Sequence, residues 1–324
     1  MRVISTSEAI REALAQEMDR DPRVFLMGED IGLYGGAFGV TRGLLDRFGK
    51  DRVVETPISE AAFVGVAVGA ALLGRRPVVE IMFSDFIFLA MDQLVNQAAK
   101  LRYVYGKQAA VPMVVRTPGG AGRAYGPTHS QAVEAYFVHT PGIKVVAPST
   151  PYDAKGLLLA AIRDPNPVLF IENRTLYAQK GEVPESDYTV PLGKAAVVRP
   201  GKDLTIVAYS RMVHEAVAAA DTLAAEQIDA QIIDLRTLSP LDFAAVSDSV
   251  KKTARVILVE EGPRTGGVMA EVAARIAEEC LEYLDAPVRR LAMPDIPVPC
   301  SPVLEQAALP SRDSIVTAAR ELCA

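Results

Sequence analysis

Half of the 324 residues are apolar and 23% are charged, the balance of an ordinary globular protein, and the length suggests about two domains. The net charge of −6 and the lack of any basic tract argue against a nucleic-acid surface, and the longest apolar run, Ala61 to Leu73, is too short to span a bilayer. Cys280, Cys300 and Cys323 are scattered with no Cys-x-x-Cys pair, so neither a zinc site nor a disulfide scaffold is indicated. They read as reduced thiols. Met1 to Ser7 show no secretory or transit pattern, which suggests a cytoplasmic protein, or a mitochondrial matrix protein whose transit peptide has been removed.

Ser5 and Glu8 fit a capping box, followed by Ile10, Ala13, Leu14 and Met18 at helical spacing. Short apolar runs of strand length follow at Val24 to Met27, Arg52 to Glu55, Val78 to Phe83, Pro112 to Val115, Ile143 to Val146 and Val168 to Ile171. Helical patterns at Ser59 to Leu73, Phe88 to Tyr105 and Tyr152 to Ile162 separate most of them, and such alternation predicts a buried parallel sheet. A polar segment from Arg174 to about Lys202, with Pro184, Pro191 and Pro200, reads as a linker. Strands are then expected at Leu204 to Ala208, Ala230 to Leu235, Val256 to Val259 and Val288 to Leu291. Helices are expected at Val213 to Glu226, Leu241 to Val250, Gly267 to Leu284 and Arg312 to Leu322. The chain is thus divided into α/β domains over 1–185 and 203–324, joined by 186–202.

The common nucleotide and hydrolase motifs are missing: no P-loop, no G-x-G-x-x-G after a strand, no G-x-S-x-G and no H-E-x-x-H. The informative stretch is Glu55-Thr56-Pro57-Ile58-Ser59-Glu60. A strand ends, Pro57 breaks it, Ser59 is placed to cap, and Glu60 enters the first turn of an apolar helix. A glutamate there complements the helix dipole. Apolar surroundings from Ile58, Phe63 and Val64 would also raise its pKa and suit it to share a proton. The end of a parallel strand is also where open α/β sheets bind ligands.

This stretch resembles the beta subunits of the 2-oxo acid dehydrogenase complexes, of pyruvate, branched-chain and acetoin types. The likeness runs nearly the whole length, through Gly28-Glu29-Asp30, Thr56 to Glu60, Arg76-Pro77 with Glu80, Met91-Asp92-Gln93, His129-Ser130-Gln131, Pro141 to Val146, Asp153 to Leu157 and Asp234 to Thr237. It implies a thiamine diphosphate-binding, pyrimidine-type parallel-sheet domain followed by a transketolase C-terminal-like α/β domain. It further implies that Glu60 hydrogen-bonds a ring nitrogen of the aminopyrimidine, that Phe86 stacks on that ring, and that Ile58 and Met82 are its apolar neighbours. His129 would stand near the acyl intermediate and the lipoyl arm, able to exchange a proton near neutral pH. Glu29 and Asp30, at a strand end, fit either a proton path between sites, as the resemblance implies, or simple caps. A potassium site on Met113, Ala161, Ile162, Asp164 and Asn166 is also implied, with an Asp164 turn as the plainer alternative.

Thiamine diphosphate enzymes hold the diphosphate through magnesium on a Gly-Asp-Gly motif, which this sequence lacks. The resemblance therefore implies an alpha-type subunit that supplies the magnesium site, an α2β2 tetramer, a lipoylated acyltransferase core as partner and a small 2-oxo substrate. Pyruvate- and acetoin-type relatives look nearer through Glu80 to Phe86 and Arg116 to Gly120, while Asp85 to Phe88 is similar to branched-chain types. Ala62, Thr128 and Cys300 depart from the common pattern and put substrate identity in question. A split transketolase-type subunit and a non-catalytic scaffold are the competing readings.

Overall fold

The computed structural model describes residues 2–106 and 108–324. Two compact units emerge, Met1–Gly119 with Tyr136–Leu192, and Gly120–Ala135 with Gly193–Ala324.

The first unit opens with β1 (Arg2–Ser5) and the Thr6–Arg20 helix, and the capping box forms as its spacing predicts. The Glu8 N–H donates to Ser5 Oγ at 3.3 Å, and the Ser5 N–H donates to Glu8 Oε2 at 2.7 Å. The strands β2 (Val24–Gly28), β3 (Val53–Glu55), β4 (Arg76–Glu80), β5 (Val114–Gly119), β6 (Lys144–Val146) and β7 (Val168–Asn173) then build a parallel sheet in the order β6-β7-β5-β4-β2-β3. Every residue of β2, β5 and β7 is buried, which is why these strands begin as continuous apolar runs rather than alternating ones. The Thr6–Arg20 and Pro151–Arg163 helices pack one face through Ile10, Leu14, Met18, Leu157, Leu158 and Ile162. The chain runs from β2 outward to β3, then crosses to β4 on the other side of β2. This reversal is the kind of switch point where open sheets bind ligands at strand C-termini.

Two expectations are corrected here. The single helix expected over Phe88 to Tyr105 is instead a 3-10 turn at Ser84–Ala90, a π-helix at Asp92–Ala98 and an α-helix at Ala99–Val104. Three-residue winding brings positions i and i+3 into line, and Phe83 and Phe86 meet edge to face at 5.8 Å between centroids. The expected linker from Arg174 to Lys202 contains a 3-10 turn (Arg174–Leu176), β8 (Lys180–Val183) and β9 (Ala196–Arg199). β8 pairs antiparallel with β1, a two-stranded ribbon whose largely exposed residues carry no apolar run to announce it.

In the second unit β9, β10 (Leu204–Ala208), β11 (Ala230–Asp234), β13 (Val256–Pro263) and β14 (Arg289–Met293) form a sheet in the order β14-β13-β10-β11-β9, with a short β12 (Thr237–Ser239) after β11. All neighbours are parallel except β9. The Met212–Ala224 and Arg312–Cys323 helices cover one face through Met212, Leu223, Ile315 and Leu322, packed on Leu204, Ile206 and Ile257. Among the described residues no helix is long and apolar enough to cross a membrane.

Candidate active site

The C-terminal ends of β2, β3 and β4 converge on two carboxylates. The Thr56 N–H donates to the Gly28 carbonyl at 3.0 Å, which brings the Thr56–Glu60 stretch beside the end of β2. Gly28 is required there, because a Cβ would lie 2.5 Å from the Glu80 carbonyl oxygen. Directly after it, Glu29 is 4% exposed and Asp30 takes a left-handed backbone (φ 54°), a conformation aspartate tolerates better than most residues. Glu60 opens the Glu60–Leu72 helix and is likewise 4% exposed. Phe63 and Val64 of that helix are buried, but Ile58 is 82% exposed. Ile58 therefore does not bury Glu60, and its side chain is left available to a ligand. Ser59 does not cap with its side chain; its hydroxyl donates to the Pro57 carbonyl at 3.2 Å.

Burial pushes the Glu29 carboxyl up to about 7, and the neighbouring charge of Glu60 adds to the rise. A hydrogen bond from the Ser59 N–H opposes it, and Asp30 contributes a smaller push upward. The second oxygen, Oε1, is buried without a hydrogen-bond partner among the described residues. Two buried acids with one held near neutral pH form a device for holding or passing a proton. Met82 and Phe86 are half-buried in the segment after β4. Phe38, Phe83 and Phe86 form an aromatic chain, with Phe38 and Phe83 at 5.6 Å and an Arg174 guanidinium 5.2 Å from the Phe83 ring.

Beneath these ends lies a buried ion network that sequence reading missed. Arg116 donates to Glu80 Oε2 at 2.7 Å and to both oxygens of Glu172, at 2.6 and 2.9 Å; Tyr177 OH donates to Glu172 at 2.6 Å. Burial and the Glu172 charge raise the Tyr177 pKa far above its usual value, and burial raises that of Glu80. The available signal was a charge closing each apolar strand: Val78-Val79-Glu80, Val114-Val115-Arg116 and Phe170-Ile171-Glu172. Glu80 and Arg116 are directly paired in register, and Glu172 lies two residues past the partner of Arg116, on the same face.

His129 lies on Gly120–Ala135, the segment that belongs to the second unit. It is half-buried, and its Nδ1 is 3.0 Å from Thr128 Oγ1. The oxygens expected to hold potassium are brought together but are already engaged. The Ile162 and Asp164 carbonyls accept from Arg76 at 2.7 and 3.2 Å, Asp164 Oδ2 meets Lys144 Nζ at 2.5 Å, and Asn166 Oδ1 accepts from Arg102 at 2.9 Å. Met113 and Ala161 carbonyls accept from the Val168 and Asp164 N–H groups. Three cationic side chains neutralise this helix end, so the donor set does not fit potassium unless Arg76 and Lys144 are displaced.

Residues 2–180 match the family described as transketolase, pyrimidine binding domain, and residues 193–315 match transketolase, C-terminal domain. A split-gene transketolase, solved as an inactive beta4 tetramer, superposes with a TM-score of 0.81 at 24% identity, covering 99% of this chain and 98% of that one. Fold and domain order thus define the transketolase class. Whole-length relatives narrow it. The 2-oxoisovalerate dehydrogenase subunit beta of Bacillus subtilis is 49% identical, covering 99% of both chains. A mitochondrial pyruvate dehydrogenase E1 component subunit beta-2 of Oryza sativa is 48% identical over 99% of this chain and 86% of the relative. The acetoin:2,6-dichlorophenolindophenol oxidoreductase subunit beta of Cupriavidus necator is 48% identical over 99% and 97%. The chain belongs to the family of beta subunits of the 2-oxo acid dehydrogenase E1 components.

Proposed function

We propose that this chain supplies the pyrimidine half of a thiamine diphosphate site and, with an alpha-type subunit that holds magnesium and the diphosphate, decarboxylates or cleaves a 2-oxo compound and passes the acyl group to a lipoyl arm. The observation that carries this reading is the pair of buried acids at the switch point, Glu60 at the start of its helix and Glu29 beside it with a pKa of about 7. The residues present suit the cofactor's aminopyrimidine. A buried carboxyl stands ready for a ring nitrogen, Glu29 keeps an unsatisfied buried oxygen, and Ile58, Met82 and Phe86 are left at least partly uncovered.

When bound, the cofactor supplies the electron sink for cleavage next to the carbonyl. Glu60 would present its carboxyl to the ring nitrogen, where a proton can be shared between them. Glu29, tied to the Ser59 N–H, disfavours a second charge beside it and keeps one proton in the pair near neutral pH. Phe86 offers an aromatic face, and Ile58 and Met82 exclude water. His129 exchanges a proton with the substrate oxygen or the incoming thiol. An α2β2 assembly, docking to a lipoylated acyltransferase core, is part of the same proposal. The relatives act on three different compounds at nearly equal identity, so a screen of pyruvate, branched-chain 2-oxo acids and acetoin assigns the substrate.

In the assembled enzyme, Glu60→Gln should lower turnover by about 10²–10⁴-fold while the tetramer still forms. Undiminished turnover in that variant would overturn the assignment.

A further inference from the structure

The segment that carries His129 has little regular structure of its own. Between Gly120 and Gly126 four residues, Gly120, Gly122, Ala124 and Gly126, have positive φ, and Ala124 pays the steric cost of a side chain there. Within it the His129 N–H reaches the Gly126 carbonyl over a long 3.4 Å. Two carboxylates from distant parts of the same unit reach its backbone. The Ala121 N–H donates to Glu261 at the end of β13, and the Ala124 N–H donates to Glu305 Oε2 at 2.8 Å, from the Pro302–Ala308 helix. Both acids are buried, at 8% and 3% exposure. Ala121 also packs against Met293, Val298 and Leu309, and a Cβ on Gly126 would lie 2.5 Å from Cys300 Sγ.

We propose that Glu261 and Glu305 are positioning residues for His129: they clamp the backbone of the 120–126 strand of chain and so fix where the histidine stands. The inference rests on the reading of His129 given above. A carboxylate accepts without competing donors, and its bond to a backbone N–H is charge-assisted. Glu305 Oε1 has no hydrogen-bond partner among the described residues although it is buried. A buried carboxyl bonded through one oxygen adds little to the stability of the fold, and what it fixes is the single N–H that it accepts from. Burial also pushes Glu134, at the far end of the segment, up to about 8, with the charges of Glu261 and Glu260 adding to the rise.

The test uses the enzyme assembled with its alpha-type partner and lipoyl-dependent turnover of the 2-oxo substrate. Glu305→Ala should lower kcat by about 10-fold or more, since small misplacements of a reacting group carry large rate penalties, while KM changes by less than about twofold. Glu305→Gln keeps an acceptor oxygen and should recover most of that loss. Amide exchange should quicken within 120–135 and not elsewhere in the unit. In a His129→Ala background, adding Glu305→Ala should cost nothing more, because the glutamate acts through the histidine. An additive double variant, an equal defect in Gln and Ala, or faster exchange across the whole unit overturns the positioning role and leaves the function of His129 standing. Full turnover in His129→Ala alone overturns the reading of His129 itself, and the proposal with it.

Discussion

Both units bury acids under the C-terminal ends of their strands, and they do so in opposite ways. In the first, Glu80 and Glu172 share the guanidinium of Arg116, and Tyr177 donates to Glu172, so charge meets charge. In the second, Glu134 and Glu260 gather with Glu261 near Tyr209, and Arg290 forms a longer ion pair with Glu260 at 3.9 Å. Burial there pushes Glu134 up to about 8 and Glu260 up to about 7. The first cluster is built around a cation; in the second, burial outweighs the pull of Arg290 on Glu260 and holds protons on Glu134 and Glu260 up to near neutral pH. Glu29, in the first unit, follows the second pattern, raised by burial and by the charges of Glu60 and Asp30. The proposed catalytic acids thus sit beside the Arg116 network without belonging to it.

The largest effect should come from breaking the paired network. Arg116→Met leaves Glu80 and Glu172 buried without their cation and should cost about 3–5 kcal/mol at neutral pH, read from the denaturant midpoint. Acidification should restore part of the loss as the two carboxyls protonate. Next comes the second unit. Glu134 binds its proton more tightly folded than unfolded, so its stabilising contribution is full below about 4.5, falls as pH rises toward 8, and is lost above that. Glu134→Gln should flatten the decline in melting temperature between pH 5 and 8 by about 2–4 °C. At Glu29 the expected effect is kinetic: Glu29→Gln should remove any limb of the activity profile with a midpoint near 7, and a limb that persists unchanged would assign that ionisation elsewhere. The smallest effect concerns the helix end crowded by Arg76, Lys144 and Arg102. Replacing potassium by a bulky ammonium salt at equal ionic strength should move the melting temperature by less than about 1 °C, and a large drop would show that the ion displaces those side chains.

The central strands were legible because parallel strands covered on both faces carry continuous apolar runs, as Val24–Met27, Val114–Val115 and Val168–Ile171 do in β2, β5 and β7. Glu60 was legible as a lone acid opening an apolar helix after Thr56-Pro57, and the family pattern gave it a role. The ribbon of β1 and β8 was not, since four-residue strands with exposed side chains have no periodicity to detect and pair across most of the first unit's length. The helical pattern over Phe88 to Tyr105 could not announce the 3-10 turn that precedes it at Ser84–Ala90, where Phe83 packs against both Phe38 and Phe86. The membership of Gly120–Ala135 in the second unit is set by Glu261, Glu305, Met293 and Leu309, all far away in sequence. Likewise, the cations on the expected potassium oxygens come from three separate stretches of chain, and only the folded arrangement brings them together.

The most direct measurement is titration calorimetry of thiamine diphosphate with magnesium, against this chain alone and against the chain mixed with an alpha-type subunit. A chain that carries only the pyrimidine half of the site predicts tight binding in the mixture and weak or no binding alone. Tight binding by the isolated chain would contradict the half-site, and absence of binding in both would contradict the enzyme.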